Sequence, residues 1–402
     1  MKVADRFHLT YCSNIHAGET WPEVSAAITI ALPRIRALLN AEGAFAIGLR
    51  LSARAAAELE RPEQLAAFQE FLRDGNYYVP TINGFPYGAF HGQRVKEQVY
   101  LPDWRSPERL SYSNRLASLL AAMLADRSGI EGSVSTAPGA FRTEVRSGDE
   151  ARAIARGMLS HAAHLIELHR RTGVTITLAV EPEPACFIET IDEAITFFGQ
   201  YLFDEREVRA ASLDSGVTMT VEDVRRHLGL CCDACHMAVE FEDPAMAFEH
   251  LRTAGIRVNK VQISSALRII QPARKSAGRE ALAPFAEDTY LHQVVEQSGG
   301  SLVRFVDLPD ALASPDPVGV GGRDREWRVH FHVPIFLRAM RDFETTQPYL
   351  VSVIDLLKRG NICQCLEVET YTWDVLPPEY RTGDVQSAIA RELQWVLAQL
   401  QS

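Results

Sequence analysis

Eight short apolar segments of the chain alternate with longer segments whose apolar residues recur at helical spacing. This alternation is typical of a parallel α/β fold. A doubly wound open sheet normally has a glycine-rich turn after its first strand, whereas this chain has the run from Ser13 to His16 there. We therefore predict an α/β fold of the (β/α)8 TIM-barrel type, with strands at Phe7–Ile15, Phe45–Leu51, Tyr77–Ile82, Gly132–Ala137, Val174–Glu181, Leu228–Asp233, Val258–Ile263 and Cys363–Thr370.

Two segments between predicted strands are too long for ordinary connections. The first runs from 83 to 109 and is rich in aromatic residues, glycine and proline. The second runs from 264 to 334, between the seventh and eighth strands. We predict a helix over 282–296 and a β-hairpin formed by Leu302–Leu308 and Trp327–Val333. Because long insertions at the carboxyl ends of barrel strands build the pocket, we expect 264–334 to cover that face of a single domain spanning 1–402.

The last predicted helix is strongly amphipathic. It begins at Asp384, which is a suitable N-cap. Its apolar face is formed by Val385, Ile389, Leu393, Val396 and Leu400.

Charge and composition exclude several classes of partner. The net charge of −11 and the pI near 5.6 argue against a broad nucleic-acid or anionic membrane surface. The segment Met1 to Arg6 lacks the apolar run of a signal peptide, and no apolar stretch approaches the length of a membrane span. We therefore expect a cytoplasmic protein without direct membrane insertion.

The chain has seven cysteines, an odd number that suits reduced thiols better than a disulfide framework. Cys232 and Cys235 form a C-x-x-C pair. A redox or zinc site would require a helix N-terminus or a second pair, and Cys363 and Cys365 do not have that spacing. We interpret the cysteines as buried core residues, with a thiol site as the alternative.

Carboxylates stand at the ends of three predicted strands. Glu181, Asp233 and Glu369 each follow an apolar run, and Gln262 adds a neutral oxygen near the end of the seventh strand. A buried carboxylate is costly without a compensating partner, and several that converge suit a hard divalent cation. The alternative is ordinary strand-end polar residues that pair with arginine or helix N-termini. Glu367 lies on the same strand face as Glu369, so either could be the ligand.

Other polar residues are candidates for substrate binding. His16 follows the first strand and Asn83 the third, and the alternative for each is a loop-capping role. Lys96 could reach a substrate phosphate or carboxylate, with a solvated lysine as the alternative. Glu183 is also a candidate to face the pocket. His330 and His332 point the same way on the predicted hairpin, so they contact either the pocket or only the interface.

The order of these strand-end residues, with Asp233 and His236 in a D-x-x-H pattern, resembles the xylose-isomerase-like superfamily of sugar phosphate isomerases and epimerases. The resemblance implies that Glu181, Asp233, Gln262 and Glu369 bind one Mn, Mg, Zn or Co ion. It also implies catalytic roles for Glu181, Glu369 and His236. Gln262 is similar to the residue in the hydroxypyruvate-isomerase branch, whereas ketose 3-epimerases usually have histidine there.

A second resemblance covers nearly the whole chain. Several motifs are similar to the EboE group of metabolite-traffic proteins, which belongs to the same barrel superfamily. The motifs begin at His8, Asn83, Val95, Pro102, His330 and Glu367. The resemblance implies a role in handling or exporting a precursor, together with partner proteins from a metabolite-traffic gene cluster.

The function expected from these features is a metal-dependent isomerase or epimerase. Such an enzyme enolises a small polyhydroxylated carbonyl substrate, with two carboxylates that remove and return the proton. The alternatives are a non-catalytic metabolite carrier, a metal-dependent lyase or dehydratase, and an endonuclease-IV-type phosphodiesterase, which would need a basic surface. The expected partner is a polyol or sugar-like molecule and not nucleic acid, and a homodimer is left open.

Overall fold

The computed structural model describes residues 1–90, 94–270, 277–315, 325–381 and 383–401. The strands within these ranges are β1 (Lys2–Val3), β2 (Phe7–Tyr11), β3 (Phe45–Arg50), β4 (Tyr77–Asn83), β5 (Gly132–Thr136), β6 (Ile176–Val180), β7 (Leu228–Asp233), β8 (Val258–Ile263), β9 (Leu267–Ile270), β10 (Val294–Ser298), β11 (Ser301–Phe305), β12 (Arg325–Val329), β13 (Glu344–Thr345) and β14 (Cys365–Val368).

The α-helices of the same ranges are α1 (Trp21–Leu38), α2 (Ala53–Leu59), α3 (Pro62–Asp74), α4 (Pro107–Leu124), α5 (Gly148–Thr172), α6 (Ile191–Phe197), α7 (Glu205–Ser215), α8 (Val221–His227), α9 (Ala234–Val239), α10 (Pro244–Ala254), α11 (Ala277–Ala281), α12 (Leu308–Ala313), α13 (Gln347–Arg359) and α14 (Val385–Gln401). Short 3-10 turns occur at Ser13–Ile15, Lys96–Tyr100, Arg142–Glu144, Ala283–Phe285, Tyr371–Asp374 and Pro378–Tyr380, and a π-helical turn follows α6 at Phe198–Leu202.

Eight parallel strands form a closed barrel. Their hydrogen-bonded order is β2-β14-β8-β7-β6-β5-β4-β3, and every pair in this series is parallel. A parallel bridge between Cys12, directly after β2, and Gly48 in β3 joins the two ends of the sheet. Each of the eight predicted strands overlaps one of these strands, so the predicted TIM barrel is confirmed.

Helices surround the barrel and are capped by local sequence signals. The Thr20 side chain accepts a hydrogen bond from the Glu23 amide, and the Glu23 carboxylate accepts one from the Thr20 amide, which is a capping box for α1. The predicted N-cap of the last helix is confirmed, since Asp384 Oδ1 accepts from the Ser387 amide at 3.0 Å. Among the described helices, none is both long enough and apolar enough to cross a membrane.

Charged side chains fill part of the barrel interior. Lys260 of β8 and Glu367 of β14 are fully buried, and Lys260 Nζ lies 2.5 Å from Glu367 Oε1. Gly48 makes room for this pair, because a Cβ at that position would lie 1.4 Å from Glu367 Oε2. Lys260 Nζ also donates to Ser135 Oγ at 3.2 Å. The interior below the carboxyl ends of the strands is therefore a packed ionic layer.

The insertion between β8 and α13 forms a second, antiparallel sheet. Its strand order is β11-β10-β12-β9-β13. The apolar side chains of this sheet form a core of their own, which includes Leu267, Ile269, Trp327, Val329 and Phe331. The insertion extends beyond the predicted end at 334, because β13 pairs with β9.

Two details predicted for the insertion are wrong. The predicted helix over 282–296 is a short 3-10 turn followed by the strand β10. The predicted hairpin between 302–308 and 327–333 does not form, because β10 lies between β11 and β12 and pairs with both. The segment Val294–Ser298 has apolar residues at its start, and pairing on both sides favours a strand there.

Candidate metal centre

The barrel brings three of the predicted carboxylates together. Glu181 follows β6, Asp233 ends β7, and Glu369 follows β14. One carboxylate oxygen from each residue lies within 4.8 Å of the other two. All three residues are buried, so the carboxyl ends of the strands hold a cluster of acidic groups away from bulk water.

Only one oxygen of Asp233 is hydrogen-bonded within the described structure. Oδ1 accepts from Ser264 Oγ at 2.7 Å and from the His236 amide at 3.0 Å. Oδ2 is buried and has no hydrogen-bond partner among the described residues. These two bonds fix the carboxylate and leave Oδ2 facing the cluster.

Two amide side chains orient Glu369. Its Oε1 accepts from Asn14 Nδ2 at 2.8 Å and from Asn83 Nδ2 at 2.9 Å. The Asn83 amide is itself oriented, since its Oδ1 accepts from the Phe85 amide at 3.1 Å. The structure thus places the predicted residue Asn83 at the cluster and adds Asn14 to it.

His332 faces Asp233 with an unprotonated nitrogen. Its Nδ1 lies 2.8 Å from the carbonyl oxygen of Glu369, which can only accept, so Nδ1 carries the hydrogen. Burial lowers the pKa of His332 to about 4, so the ring is neutral and Nε2 has a free lone pair. Nε2 lies 3.9 Å from Asp233 Oδ2, and neither atom has a hydrogen-bond partner in the described ranges.

His236 and His330 form a second contact of the same kind. His236 Nδ1 lies 2.9 Å from the Pro182 carbonyl oxygen, and His330 Nδ1 lies 2.7 Å from Gln293 Oε1. Both Nδ1 atoms therefore donate, and the two Nε2 atoms meet at 3.1 Å. This contact requires a proton or another cation between them. Glu183 is close, with its Oε1 3.9 Å from His330 Nδ1.

The acidic groups of the cluster have opposite pKa shifts. Burial and the charges of Glu369 and Asp233 raise the pKa of Glu181 well above its ordinary range. Burial and the charge of Asp233 raise the pKa of Glu369 to about 8. Burial also acts to raise the pKa of Asp233, but the nearby His236 ring and the hydrogen bonds from Ser264 and the His236 amide hold it below its ordinary value. Asp233 is thus the carboxylate that stays ionised.

One of two neighbouring predicted residues, Glu367, lies in the barrel interior instead of in the cluster. Glu367 is paired with Lys260 in the barrel interior, so the structure places Glu369, and not Glu367, beside Glu181 and Asp233. Gln262 is also fully buried, in register with Asp233 and Glu367 on the neighbouring strands. Neither of its amide atoms has a hydrogen-bond partner among the residues that are described. His332 from the insertion also faces Asp233 and was not predicted as a ligand, whereas the ligand role of Gln262 stays a prediction.

Two other predicted residues have structural contacts. His16 Nε2 lies 3.1 Å from the Tyr11 hydroxyl, and the residue does not line the cavity above the cluster. Lys96 lines that cavity, but its Nζ lies 2.7 Å from Asp307 Oδ2 and donates to the Glu287 carbonyl oxygen at 3.1 Å. Lys96 therefore joins the loop after β4 to the insertion.

A cavity opens above the carboxylates. The polar residues at its base are Asn14, Asn83, Glu181, Glu183, His236, His330, His332 and Glu369. Its upper walls come from the loop after β4, from the insertion and from Tyr371 after β14.

The cysteines form no pair in the structure. All seven are free and buried. Cys232 packs in the main core, whereas Cys235 packs in a separate cluster with Val239 and Ala266. The C-x-x-C spacing therefore does not create a dithiol site.

Comparison with solved structures finds barrels of similar topology. One is a probable 3-DHS dehydratase, AsbF, from Bacillus anthracis (TM-score 0.49, 12% identity, 98% of each chain covered). Another is a xylose isomerase-like TIM barrel protein from Mycobacterium smegmatis in complex with magnesium (TM-score 0.49, 14% identity, 100% of this chain and 98% of that chain). A third is a D-allulose 3-epimerase from Methylomonas sp. in complex with D-allulose (TM-score 0.47, 11% identity, 99% of each chain).

No protein-family model matches the sequence, and no curated protein matches it. The three solved structures are 11–14% identical to this chain, with TM-scores of 0.47–0.49. The chemistry of the site is therefore argued from its own residues.

Sequence reasoning missed several residues that build the site. Asn14 donates to Glu369, and Ser264 donates to Asp233. Gln293 orients His330, and Lys260 forms an ion pair with Glu367. Asn14 and Ser264 each lie within a few residues of the end of a predicted strand, which is a signal that could have identified them. Gln293 had no such signal, because its segment was interpreted as helix.

Proposed function

We propose that the chain is a metal-dependent isomerase or epimerase that enolises a small α-hydroxycarbonyl compound such as a sugar. The observation that carries this proposal is the pair of unpartnered atoms Asp233 Oδ2 and His332 Nε2, which face each other beside Glu181 and Glu369. Two buried lone pairs with no hydrogen between them repel each other and lack solvation. A divalent cation removes both penalties.

The donor set fits one divalent ion. Glu181, Asp233 and Glu369, which lie in one group, would supply three carboxylate oxygens, and His332, which forms a second group with Asp233 and His236, would add an imidazole nitrogen on the Asp233 side. Mixed oxygen and nitrogen ligands favour Mn, Co or Zn over Mg. When bound, such an ion stabilises negative charge that develops on substrate oxygens.

The residues of the chain account for the proton transfers. In the metal-free protein, burial and the charges of neighbouring carboxylates raise the pKa of Glu181 well above its ordinary range and that of Glu369 to about 8, so both groups can carry a proton. One would remove the proton from the carbon beside the carbonyl, and the other would return it. Asn14 and Asn83 hold Glu369 in a fixed orientation, and His236 at the cavity base would bind a substrate hydroxyl.

The resemblance to the EboE group adds a biological setting to this proposal. It would place the reaction in the handling or export of a precursor, alongside proteins of the same gene cluster. It rests on the motifs that begin at His8, Asn83, His330 and Glu367. The same cavity without turnover would serve a carrier, and a lyase or dehydratase could use the same ligands.

The first experiment measures the metal content of the purified protein by elemental mass spectrometry. We expect about one Mn, Zn, Co or Mg ion per wild-type chain and none in Glu181→Ala or Asp233→Ala. Glu249→Ala, which removes an exposed carboxylate on α10, is the matched control and should keep the ion. Thermal melting checks that all variants fold.

The second step tests turnover. The loaded protein should exchange a carbon-bound proton of a hydroxyketone with deuterated solvent, and Glu369→Gln should abolish the exchange. Protein that neither contains nor takes up a divalent ion would overturn the proposal. Protein that binds the ion but catalyses neither exchange nor elimination would leave the carrier as the better description.

A further inference from the structure

Aromatic rings dominate the upper walls of the cavity. Phe90, Tyr290 and Tyr371 come from the loop after β4, the insertion and the segment after β14, and we call them the aromatic triad. The ring centroids of Phe90 lie 4.8 Å from Tyr290 and 5.4 Å from Tyr371. Phe85 and Tyr100 form a further pair, stacked at 5.5 Å. Three distant parts of the sequence therefore meet to present ring surfaces above the carboxylates.

Several polar atoms on these walls are already hydrogen-bonded to the protein. The Tyr100 hydroxyl donates to Glu183 Oε1 at 2.6 Å, and the Tyr290 hydroxyl donates to the Phe90 carbonyl oxygen at 3.2 Å. Thr136 Oγ1 accepts from Trp104 Nε1 at 3.0 Å. The walls thus present mainly carbon to a ligand.

Within the described structure, the walls also lack a lysine or arginine that is not already in an ion pair. Lys96 is the one lysine or arginine among the described residues that line the cavity, and it is paired with Asp307. A substrate phosphate would need arginine, lysine or a row of backbone amides. The hydroxyl groups of a long sugar chain would need polar partners along the walls, because a buried hydroxyl without one is unfavourable.

Backbone contacts hold the triad in place. The amides of Val95 and Lys96 donate to the Thr289 carbonyl oxygen at 2.9 and 3.2 Å, next to Tyr290. The Lys96–Asp307 ion pair links the same two segments. The ring surface is therefore a preformed part of the cavity.

We infer that the substrate carries, next to its α-hydroxycarbonyl group, a flat apolar substituent that packs against the aromatic triad. This inference rests on the proposed function, since the carboxylate cluster must hold the oxygenated end. Flat rings pack favourably on the faces and edges of aromatic side chains. The substrate class is thus an aryl or similarly flat hydroxyketone, and not a free or phosphorylated sugar.

The test compares ligands that share one chelating group. Isothermal titration calorimetry on the full-length, Mn²⁺-saturated protein would use 2-hydroxyacetophenone, hydroxyacetone, D-fructose and dihydroxyacetone phosphate. We expect 2-hydroxyacetophenone to bind at least tenfold more tightly than each of the other three. Tyr290→Ala should remove most of this preference without weakening hydroxyacetone, whereas Tyr290→Phe should keep it. Phe71→Ala, which removes a ring from α3 outside the cavity, is the control.

Two results would overturn the inference. One is tighter binding of D-fructose or of the phosphate, and the other is an aryl preference that survives in Tyr290→Ala. Metal uptake and proton exchange test the proposed function separately. If the protein passes those two tests but binds D-fructose more tightly, only the inference of a flat apolar substituent is refuted. If the protein takes up no metal, the proposed function is refuted. The affinity for acetophenone relative to that for acetone then still measures the preference for an aromatic ring.

Discussion

His332 Nε2 lies 3.9 Å from Asp233 Oδ2, and the two atoms face each other without a hydrogen between them. The hydrogen of the His332 ring is on Nδ1, which donates to the backbone carbonyl of Glu369. One ring thus connects the insertion to the end of β14 and also presents a lone pair to β7. A histidine whose second nitrogen is fixed by a carbonyl is a common arrangement at metal sites.

His332→Ala should weaken metal binding strongly, by about 10- to 100-fold or more, because it removes a nitrogen that faces the carboxylates. Gln262→Ala removes the ligand predicted from the sequence and should weaken binding less than His332→Ala does, because a neutral amide oxygen is a weaker ligand for Mn, Co or Zn than an imidazole nitrogen. Competition with a fluorescent chelator would measure both dissociation constants. A larger loss in Gln262→Ala than in His332→Ala would restore the sequence-based ligand assignment.

Gly48→Ala should destabilise the barrel severely. The new Cβ would lie 1.4 Å from Glu367 Oε2 and would displace the carboxylate from Lys260. Breaking a buried ion pair costs about 3–5 kcal/mol. Gly199→Ala is the matched control, because no heavy atom lies within 4 Å of the corresponding position there. Urea unfolding would measure the free energy of unfolding of both variants. Similar values for the two would contradict the close packing of the Glu367–Lys260 pair against Gly48.

The contribution of Glu369 to the stability of the metal-free protein should fall as the pH rises. Burial and the charge of Asp233 raise the pKa of Glu369 from 4.5 to about 8, so the folded state binds this proton more tightly than the unfolded chain does. The stabilisation is complete below pH 4.5 and is lost as the pH approaches about 8. The melting temperature of the wild type relative to Glu369→Gln, both in a chelator, should therefore decrease from pH 5 to pH 8.

A bound cation should reverse this trend, because it replaces the protons. The gain in melting temperature on metal addition should be larger at pH 8 than at pH 5.5. Burial also raises the pKa of Glu240, Glu242 and Glu392, so Glu369→Gln is needed to isolate this residue. A pH dependence that is identical in Glu369→Gln and wild type would refute this account.

Lys96→Met should loosen the contact between the loop after β4 and the insertion. It removes an ion pair with side chains only 6% and 15% exposed and leaves Asp307 without its cation. Limited proteolysis in the loop should accelerate, whereas Lys358→Met, at a more exposed pair on α13, should have little effect. If Lys96 instead bound a substrate phosphate, the variant would selectively weaken dihydroxyacetone phosphate relative to hydroxyacetone; we expect equal changes for the two.

The sequence by itself determined the barrel and the acidic cluster. Alternating strand and helix patterns specify the strand number, and the carboxyl ends of parallel strands meet on one face of a closed barrel. Glu181, Asp233 and Glu369 could therefore be brought together from strand-end positions alone. The N-cap at Asp384 could also be predicted, because capping depends on residues within one helical turn.

Only the tertiary structure decided between residues that share one strand face. Period-two alternation gives Glu367 and Glu369 the same direction, and their different depths follow from the space at Gly48 and the charge of Lys260 on other strands. The place of His332 beside Asp233 depends on the antiparallel sheet, whose order could not be inferred once 282–296 was interpreted as helix. The aromatic triad joins residues up to 281 positions apart (371 − 90), and such contacts arise from packing between segments that carry no mutual local signal.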